Sequence, residues 1–374
     1  MSRARTFADL ATASEEGSLA SPNMIINGDM SVAQRISAST GQSTSGIKVV
    51  DQFHYIHSGG GTSDISQSST APDEFKNSLK IECNAADGSL GATEVVGIRH
   101  HIEAQHCQSL LYGTSSAKTT TLSFHVRSKQ TGTYAVNLFL DDDSRQFTKT
   151  YTISSADTWE KKTITFVGDT TGVIEDDTGK GLEITWWLRA GSTYTGGSAM
   201  SGYEAFSNGD YAVGHAVDFL DNAANEFYLT GVQLEIGEVA TPYKHEYFAD
   251  NLKRCQRYYC KSTPYATAPG HGADATTNCV SIDMASNLMR TDRFFFPTSM
   301  RAAPTVTCHA QAGVSGSNTG EWAGYISTTW THFAFSGGNV TTEGFCGSGS
   351  SIAGAQDGYA FWTHANWEAT AELG

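Results

Sequence analysis

Two runs of carboxylates are the residues best suited to acid–base chemistry in this chain of 374 residues. They are Asp141-Asp142-Asp143 and Glu175-Asp176-Asp177. A glycoside hydrolase needs two carboxyl groups that face each other across the scissile bond, at a separation that the sequence does not give. Each run ends a strand-like segment and adjoins turn-forming residues, so we interpret both as solvated turns, with a glycosidase pair as the alternative. The sequence contains no GxSxG, HExxH or P-loop motif.

The densest group of imidazole and thiol ligands is His100-His101 with His106-Cys107. Its spacing fits no standard zinc pattern, and Gly97-Ile98-Arg99 before it is typical of a strand, so we interpret these residues as ordinary core or polar residues. The seven cysteines are odd in number, irregularly spaced and without a CxxC pair. Buried free thiols are therefore expected.

Aromatic residues are the remaining candidates for binding. A sugar presents apolar C–H faces that stack on aromatic rings and hydroxyls that need polar partners, so its site requires no catalytic group. Four of the seven tryptophans lie in the last third of the chain, where Trp322, Tyr325 and Trp330 flank loop-like residues. We predict that at least one of these three binds a glycan. The alternative for each tryptophan is a place in the core.

Composition limits the classes of partner. The chain has 24 Lys and Arg against 39 Asp and Glu, a net charge of −15, which argues against binding nucleic-acid phosphates. Its apolar content of 39% argues against disorder. No segment approaches the ~20 apolar residues that span a bilayer, and no apolar core follows Arg3 and Arg5, so we expect synthesis in a cytoplasm and no membrane insertion.

Period-2 alternation predicts an all-β fold. The clearest examples are Leu122-Phe124-Val126, Tyr134 to Leu140, Leu182 to Leu188, and Phe227 to Ile236 with a bulge at Gly231. Many short strands joined by Gly-rich turns favour a jelly-roll β-sandwich, followed by a smaller C-terminal β-sandwich.

One segment, Tyr247 to Lys261, has a helical pattern. Its apolar residues follow 4-3-4 spacing, typical of a coiled-coil seam: Phe248, Leu252, Cys255 and Tyr259. The stripe either packs on its own sandwich or joins several chains in a short parallel bundle.

Two longer stretches have a distinctive order of residues. The first runs from Asn23-Met24-Ile25-Ile26-Asn27-Gly28-Asp29 to Arg35, with Asp51-Gln52-Phe53 after it. The second runs from Leu229-Thr230-Gly231-Val232-Gln233-Leu234-Glu235 through Ala240-Thr241-Pro242-Tyr243 and leads to Leu252-Lys253-Arg254-Cys255-Gln256-Arg257-Tyr258-Tyr259. Together they resemble the tail fibre proteins of tailed bacteriophages, especially of marine and cyanobacterial phages. Gln52 departs from the family pattern, which usually has Arg there.

The resemblance implies a domain organisation. Residues 1–22 would attach to a phage tail or baseplate protein, residues 23–246 would form a carbohydrate-binding-like jelly roll, residues 247–261 a trimeric helical neck, and residues 262–374 a receptor-binding head. Carbohydrate-binding jelly rolls often hold a structural calcium through a carboxylate near the last strand. Here that position is Thr230-Gly231, so no cofactor is predicted and calcium stays an alternative.

The functional expectation is a homotrimeric, non-enzymatic tail fibre of the virion that adheres to a bacterial surface polysaccharide. Its strength would come from avidity, because several weak sugar sites act together. Two alternatives stay open: a polysaccharide depolymerase of the phage tail, and a purely structural virion protein.

Overall fold

The computed structural model describes residues 23–269, 282–285, 288–309, 321–326, 329–350, 363–364 and 366–373. Within them β-strands dominate, so the predicted all-β class is confirmed. The predicted attachment segment, residues 1–22, lies outside the described residues. No helix in the described ranges has the length and apolar character needed to cross a bilayer.

The chain divides into two compact units that do not follow one another along the sequence. Described residues of 23–32 and 37–248, with residue 373, form the first unit, and residues 33–36 with those of 249–372 form the second. The division therefore differs from the predicted domain limits, because a four-residue segment near the N-terminus belongs to the second unit.

The first unit is a jelly-roll sandwich of two antiparallel sheets. Its strands are β1 (Ala38–Gln42), β2 (Gly46–Ile47), β3 (Phe53–Ser58), β4 (Thr62–Ser68), β5 (Ser78–Ala85), β6 (Val95–Glu103), β7 (Thr120–Ser128), β8 (Gly132–Leu140), β9 (Arg145–Ile153), β10 (Glu160–Phe166), β11 (Lys180–Ala190), β12 (Glu204–Ala205) and β13 (Glu226–Ile236). One sheet has the order β1-β4-β5-β13-β7-β10 and the other, the seven-stranded sheet, the order β12-β9-β8-β11-β6-β3-β2. Short 3-10 helices span Ala104–Leu110, Asn208–Asp210 and Phe219–Asp221.

The core between the two sheets is built from the alternating residues that the sequence predicted. Leu122, Phe124 and Val126 on β7 face Tyr134 to Leu140 on β8 and Leu182 to Leu188 on β11, and these inward residues are fully buried. The ring of Trp186 lies 5.9 Å from that of Phe124, which joins the sheets. Gly231 has φ +61° where the β13 register shifts, so the predicted bulge is confirmed.

The first motif stretch has a structural role against β13. The Asn23 side chain donates to the Val232 carbonyl (3.1 Å) and accepts from the Leu234 N–H (3.1 Å). Gly28 passes so close to β13 that an added Cβ would lie 2.1 Å from the Val232 carbonyl oxygen. Asn27, with φ +61°, holds the following turn by accepting from the Val32 N–H. These contacts hold the segment against β13, the last strand of the first unit along the chain.

The second motif stretch folds back on the same strand. The Glu235 carboxylate accepts from the N–H (2.8 Å) and hydroxyl (2.7 Å) of Thr241, and Gln233 accepts from the Lys244 N–H (3.0 Å). The glutamine and glutamate of the motif therefore hold the segment that leaves β13.

The second unit also contains two antiparallel sheets. Its strands are β14 (Tyr259–Lys261), β15 (Ile282–Ala285), β16 (Leu288–Phe295), β17 (Thr305–His309), β18 (Glu321–Ile326), β19 (Thr329–Thr341), β20 (Gly344–Ser350), β21 (Thr363–His364) and β22 (Asn366–Thr370), in the orders β14-β22-β17 and β15-β16-β20-β19-β18-β21. Phe345 and Trp367 are buried with ring centroids 5.4 Å apart. Arg35 pairs with Glu372 (2.9 Å) and lies over the Tyr259 ring, which ties residues 33–36 to β14.

Two short α-helices occur in the described ranges, α1 (Ser192–Thr195) and α2 (Phe248–Gln256). The helix predicted to reach Lys261 therefore ends at Gln256. The predicted helical seam of Phe248, Leu252, Cys255 and Tyr259 is wrong in its last residue. Tyr259 lies on β14, paired with Thr370 of β22, because strand pairing buries its ring in the second unit. Cys255 is fully buried in this single chain, whereas Phe248 is 48% exposed and Leu252 half-buried.

Candidate functional site

The outer face of the seven-stranded sheet carries an unusual set of polar and aromatic residues. Strand alternation directs every second residue away from the core, and the registers of β8, β11, β6 and β3 align them in rows across the sheet. The rows are Phe139–Glu183–His101, Asn137–Thr185–Arg99–His54 and Trp187–Gly97–Ile56. Charged residues thus occupy the middle of a sheet face, between aromatic ones.

Part of this face is covered by residues 191–217, the covering segment, which includes α1. Gln146, Thr148 and Trp187 donate from the sheet to main-chain carbonyls of the segment, at 2.8, 2.7 and 2.9 Å. Trp187 is consequently 1% exposed although it points away from the core. The covering segment in turn brings Tyr211 to the row of charged residues.

Arg99, Glu183 and Tyr211 form a triad at the border of the covering segment. Arg99 Nε lies 2.8 Å from Glu183 Oε1 and donates to the Thr185 hydroxyl (3.1 Å), and Nη2 donates to the Tyr211 hydroxyl (2.7 Å). That hydroxyl donates to Glu183 Oε1 (2.8 Å). Each member thus contacts the other two, which fixes the direction of the guanidinium.

A histidine and a lysine approach the other oxygen of Glu183. His101 Nε2 lies 3.2 Å and Lys180 Nζ 3.3 Å from Glu183 Oε2, and His101 Nδ1 donates to the Leu373 carbonyl (2.8 Å). Burial alone would raise the pKa of Glu183, but the His101 hydrogen bond and the charge of Arg99 lower it to about 2. Glu183 is therefore an ionised anchor for Arg99 and Tyr211 at neutral pH, and its pKa does not suit a general acid.

Within the triad, Arg99 is accessible to solvent and Glu183 is not. The side chain of Glu183 is 2% exposed, whereas that of Arg99 is 23% exposed. A guanidinium has five N–H donors, and Nη1 of Arg99 contacts no protein acceptor within the described ranges. Arg99 can therefore offer oriented N–H groups to a ligand on this face.

Aromatic rings border the triad. The Tyr211 ring lies 5.4 Å from Phe206 and 6.4 Å from Tyr194, both in the covering segment, and Phe206 is 41% exposed. Burial and the Glu183 charge raise the pKa of Tyr211, so its hydroxyl stays protonated and keeps its hydrogen bonds. The arrangement places partly exposed rings beside fixed hydrogen-bond donors, which is the chemistry that sugar binding needs.

The two acidic runs lie in exposed turns, as the sequence predicted. The carboxylates of Asp142 and Asp143 accept from the N–H groups of Glu175 and Val173, at 2.9 and 3.0 Å. Burial and neighbouring carboxylates raise the pKa of Asp142. The runs thus join two loops through hydrogen bonds to the main chain.

The predicted core histidine is His100, which is fully buried beside Phe53 with ring centroids 5.0 Å apart. Its neighbour His101 faces the opposite side of the sheet and belongs to the site. At the position compared with family calcium sites, the Thr230 hydroxyl donates to the Asn77 carbonyl (2.7 Å). No group of three or more His, Cys, Asp or Glu in the described part of the chain could hold a metal ion.

The cysteine prediction is confirmed for the described residues. Six cysteines are free thiols, and all but the half-buried Cys346 are buried: Cys83, Cys107, Cys255, Cys260 and Cys308. Burial raises the pKa of Cys107 and Cys260 to about 12, which keeps both thiols protonated and unreactive. Cys279 lies outside the described residues.

The three predicted glycan-binding aromatics lie on a hairpin of the second unit. Trp322 and Tyr325 belong to β18, opposite Phe333 and Trp330 of β19, respectively. Their backbone is therefore in strands, and their side chains are outside the described part of the structure. Their role in binding stays a prediction.

The residues that form the outer-face site are not predicted by the sequence. Arg99 and Glu183 lie in segments whose alternation predicts strands, and Tyr211 lies in no predicted element. One signal could have indicated them: each of two strongly apolar strands contains a charged residue, Arg99 or Glu183. A charge in such a strand needs a partner of opposite charge nearby, so the two could have been paired.

The described fold is similar to several solved structures. No family model matches the sequence, and no curated protein matches it significantly. The enzymatically active domain of bacteriophage CBA120 tailspike protein 4 matches 57% of the chain at 11% identity and a TM-score of 0.32, but only 21% of the tailspike structure is covered. A CBM4 structure matches 57% of the chain and 99% of its own length, at 12% identity and a TM-score of 0.31.

A third similar structure is the family 11 carbohydrate-binding module from Clostridium thermocellum in complex with a mixed-linked tetrasaccharide. It matches 55% of the chain and 99% of its own length, at 12% identity and a TM-score of 0.29. These are likenesses of fold, so the chemistry of the outer face rests on its own residues.

Proposed function

We propose that the chain is a glycan-binding protein whose ligand lies on the outer face of the seven-stranded sheet. The Arg99–Glu183–Tyr211 triad carries this proposal, because it holds a partly exposed guanidinium in a fixed direction beside aromatic rings. The guanidinium would donate to sugar hydroxyls, and the rings of Tyr194 and Phe206 would stack on C–H faces.

Two substitutions separate the polar and the stacking contributions. Tyr211→Phe keeps the ring but removes the hydroxyl that bonds to both other members of the triad, and Phe206→Ala removes the most exposed ring of the covering segment. Each is expected to weaken glycan binding about tenfold, the effect of losing one hydrogen bond to a charged group or one stacked ring.

The measurement is a glycan array followed by titration calorimetry on the oligosaccharides that bind. Trp159→Ala is the matched control, because Trp159 is half-buried just before β10 of the other sheet, with its ring 6.0 Å from that of Tyr228 on β13. If Trp159→Ala weakens binding as much as the two test variants, the ligand does not lie on the outer face. If both test variants bind with unchanged affinity, the ligand likewise does not lie on the outer face.

We further propose that this glycan is a bacterial surface polysaccharide and that the chain is a homotrimeric phage tail fibre without enzymatic activity. The two motif stretches support the tail-fibre assignment, and the ionised, fully bonded Glu183 supports binding without turnover. Residues 1–22 would join a tail or baseplate protein, and Trp322, Tyr325 and Trp330 would give a second sugar contact.

Competition for adsorption tests the role in the virion. Excess purified protein is expected to block adsorption of the phage, and the Phe206→Ala variant to block it less. A protein that never blocks adsorption would be a purely structural component. Release of reducing ends from host polysaccharide would identify a depolymerase instead.

A further inference from the structure

The charges around the triad cancel one another. Arg99, the most accessible cation of the outer face, lies 2.8 Å from the ionised Glu183. Lys180 lies 2.9 Å from Asp141 and 3.3 Å from Glu183. Each cation is therefore matched by a carboxylate within contact distance, so neither offers an uncompensated positive charge to a ligand.

The other titratable groups described on this face, Glu103, His54 and His101, leave this balance of charge unchanged. Glu103, at the end of β6, is fully buried and accepts a hydrogen bond from Gln105. The His54 ring lies 4.6 Å from that of His101 at an interplanar angle of 48°, and Nε2 of His101 faces Glu183. The whole chain carries a net charge of −15, which repels an approaching polyanion.

We propose that Glu183 sets the ligand class of the outer-face site, and that this class is uncharged glycans. With Glu183 ionised beside it, Arg99 acts as a set of oriented N–H donors for hydroxyl groups. A uronic acid or a sulfated sugar would meet a neutralised guanidinium and an acidic protein surface. This inference rests on the proposed glycan-binding function of the same face.

Matched oligosaccharides test it directly. The probes are tetramers of galactose, glucose and mannose, each compared with the tetramer of its uronic acid, in calorimetric titrations of the full chain at 20 and 500 mM NaCl. In every pair that binds, the neutral member is expected to bind at least tenfold more tightly. Its affinity is expected to change less than twofold with salt, because no net charge is paired on binding.

Glu183→Gln is expected to shift the preference toward the acidic member by about tenfold, the effect of one unit charge about 6 Å away at an effective dielectric constant of about 40. Asp141→Asn removes the charge of one of the two carboxylates beside Lys180, and because the Asp141 side chain is 40% exposed, this second variant carries little risk to folding. It is expected to shift the preference in the same direction by about threefold. Asp176→Asn, in an exposed turn, is the control and should leave the preference unchanged.

The outcomes separate the two proposals. Tighter binding of the acidic members by the unaltered protein, or an unchanged preference in both Glu183→Gln and Asp141→Asn, overturns the inference alone. Failure of every neutral and acidic tetramer to bind counts against the proposed function, and the inference falls with it.

Discussion

The burial of an ionised carboxylate at the centre of a sheet face gives a prediction about stability. Glu183→Gln removes the charge that holds Arg99, Tyr211 and His101 while keeping the size of the side chain. In the folded protein the pKa of Glu183 is about 2, against an ordinary 4.5. A folded pKa below the unfolded one means that the ionised form stabilises the fold.

The size of the effect follows from the difference between the unfolded and folded pKa of Glu183. This difference contributes about 3 kcal/mol to the free energy of unfolding at neutral pH and about 1 kcal/mol at pH 3. The contribution is complete above pH 4.5 and is lost as the pH falls toward 2. The destabilisation caused by Glu183→Gln should therefore be about 2 kcal/mol smaller at pH 3 than at pH 7.

The assay is urea unfolding followed by hydrogen–deuterium exchange of peptides from β8 and β11, which reports on the first unit alone. Asp176→Asn serves as the control, because it removes a carboxylate from an exposed turn. Equal destabilisation by Glu183→Gln at both pH values would refute the electrostatic reasoning. So would a destabilisation below 1 kcal/mol at pH 7.

Three further predictions concern packing, thiols and assembly. Gly28→Ala should lower the free energy of unfolding by about 2 kcal/mol in urea titrations, because its Cβ meets the β13 main chain, whereas Gly88→Ala, with open space around it, should be neutral. In a Cys279→Ser background, a thiol reagent should modify only Cys346 quickly in the native protein and all six described cysteines after denaturation. Light scattering should give three times the chain mass of 40.0 kDa, and Phe248→Asp should give the monomer; a monomeric unaltered protein contradicts the trimer.

The fold could be predicted from the sequence where one face of a strand is buried and the other is not. Alternation located β7, β8 and β11 and identified their inward residues, since burial on one face leaves a period of two. Trp187 shows the limit of this reasoning. Alternation places it outside, and only the covering segment, which has no periodic pattern of its own, buries it.

The site could not be predicted because its members meet through tertiary structure. Arg99 and Glu183 come together through the register between β6 and β11, and Tyr211 joins them from the covering segment. The prediction of helix beyond Gln256 was wrong for a related reason, because the strand that pairs with Tyr259 lies more than 100 residues further along the chain. Local spacing carries no information about such partners.

The assignment of residues 33–36 to the second unit has a consequence for how this protein can be divided. A fragment that begins at residue 249 lacks Gln34, which donates to the Tyr259 carbonyl (2.9 Å), and Arg35, which pairs with Glu372. A chimaera that exchanges only the residues from 249 onward would therefore lose these contacts unless residues 33–36 were exchanged as well. The second unit thus depends on four residues that are separated from the rest of it by more than 200 positions of sequence.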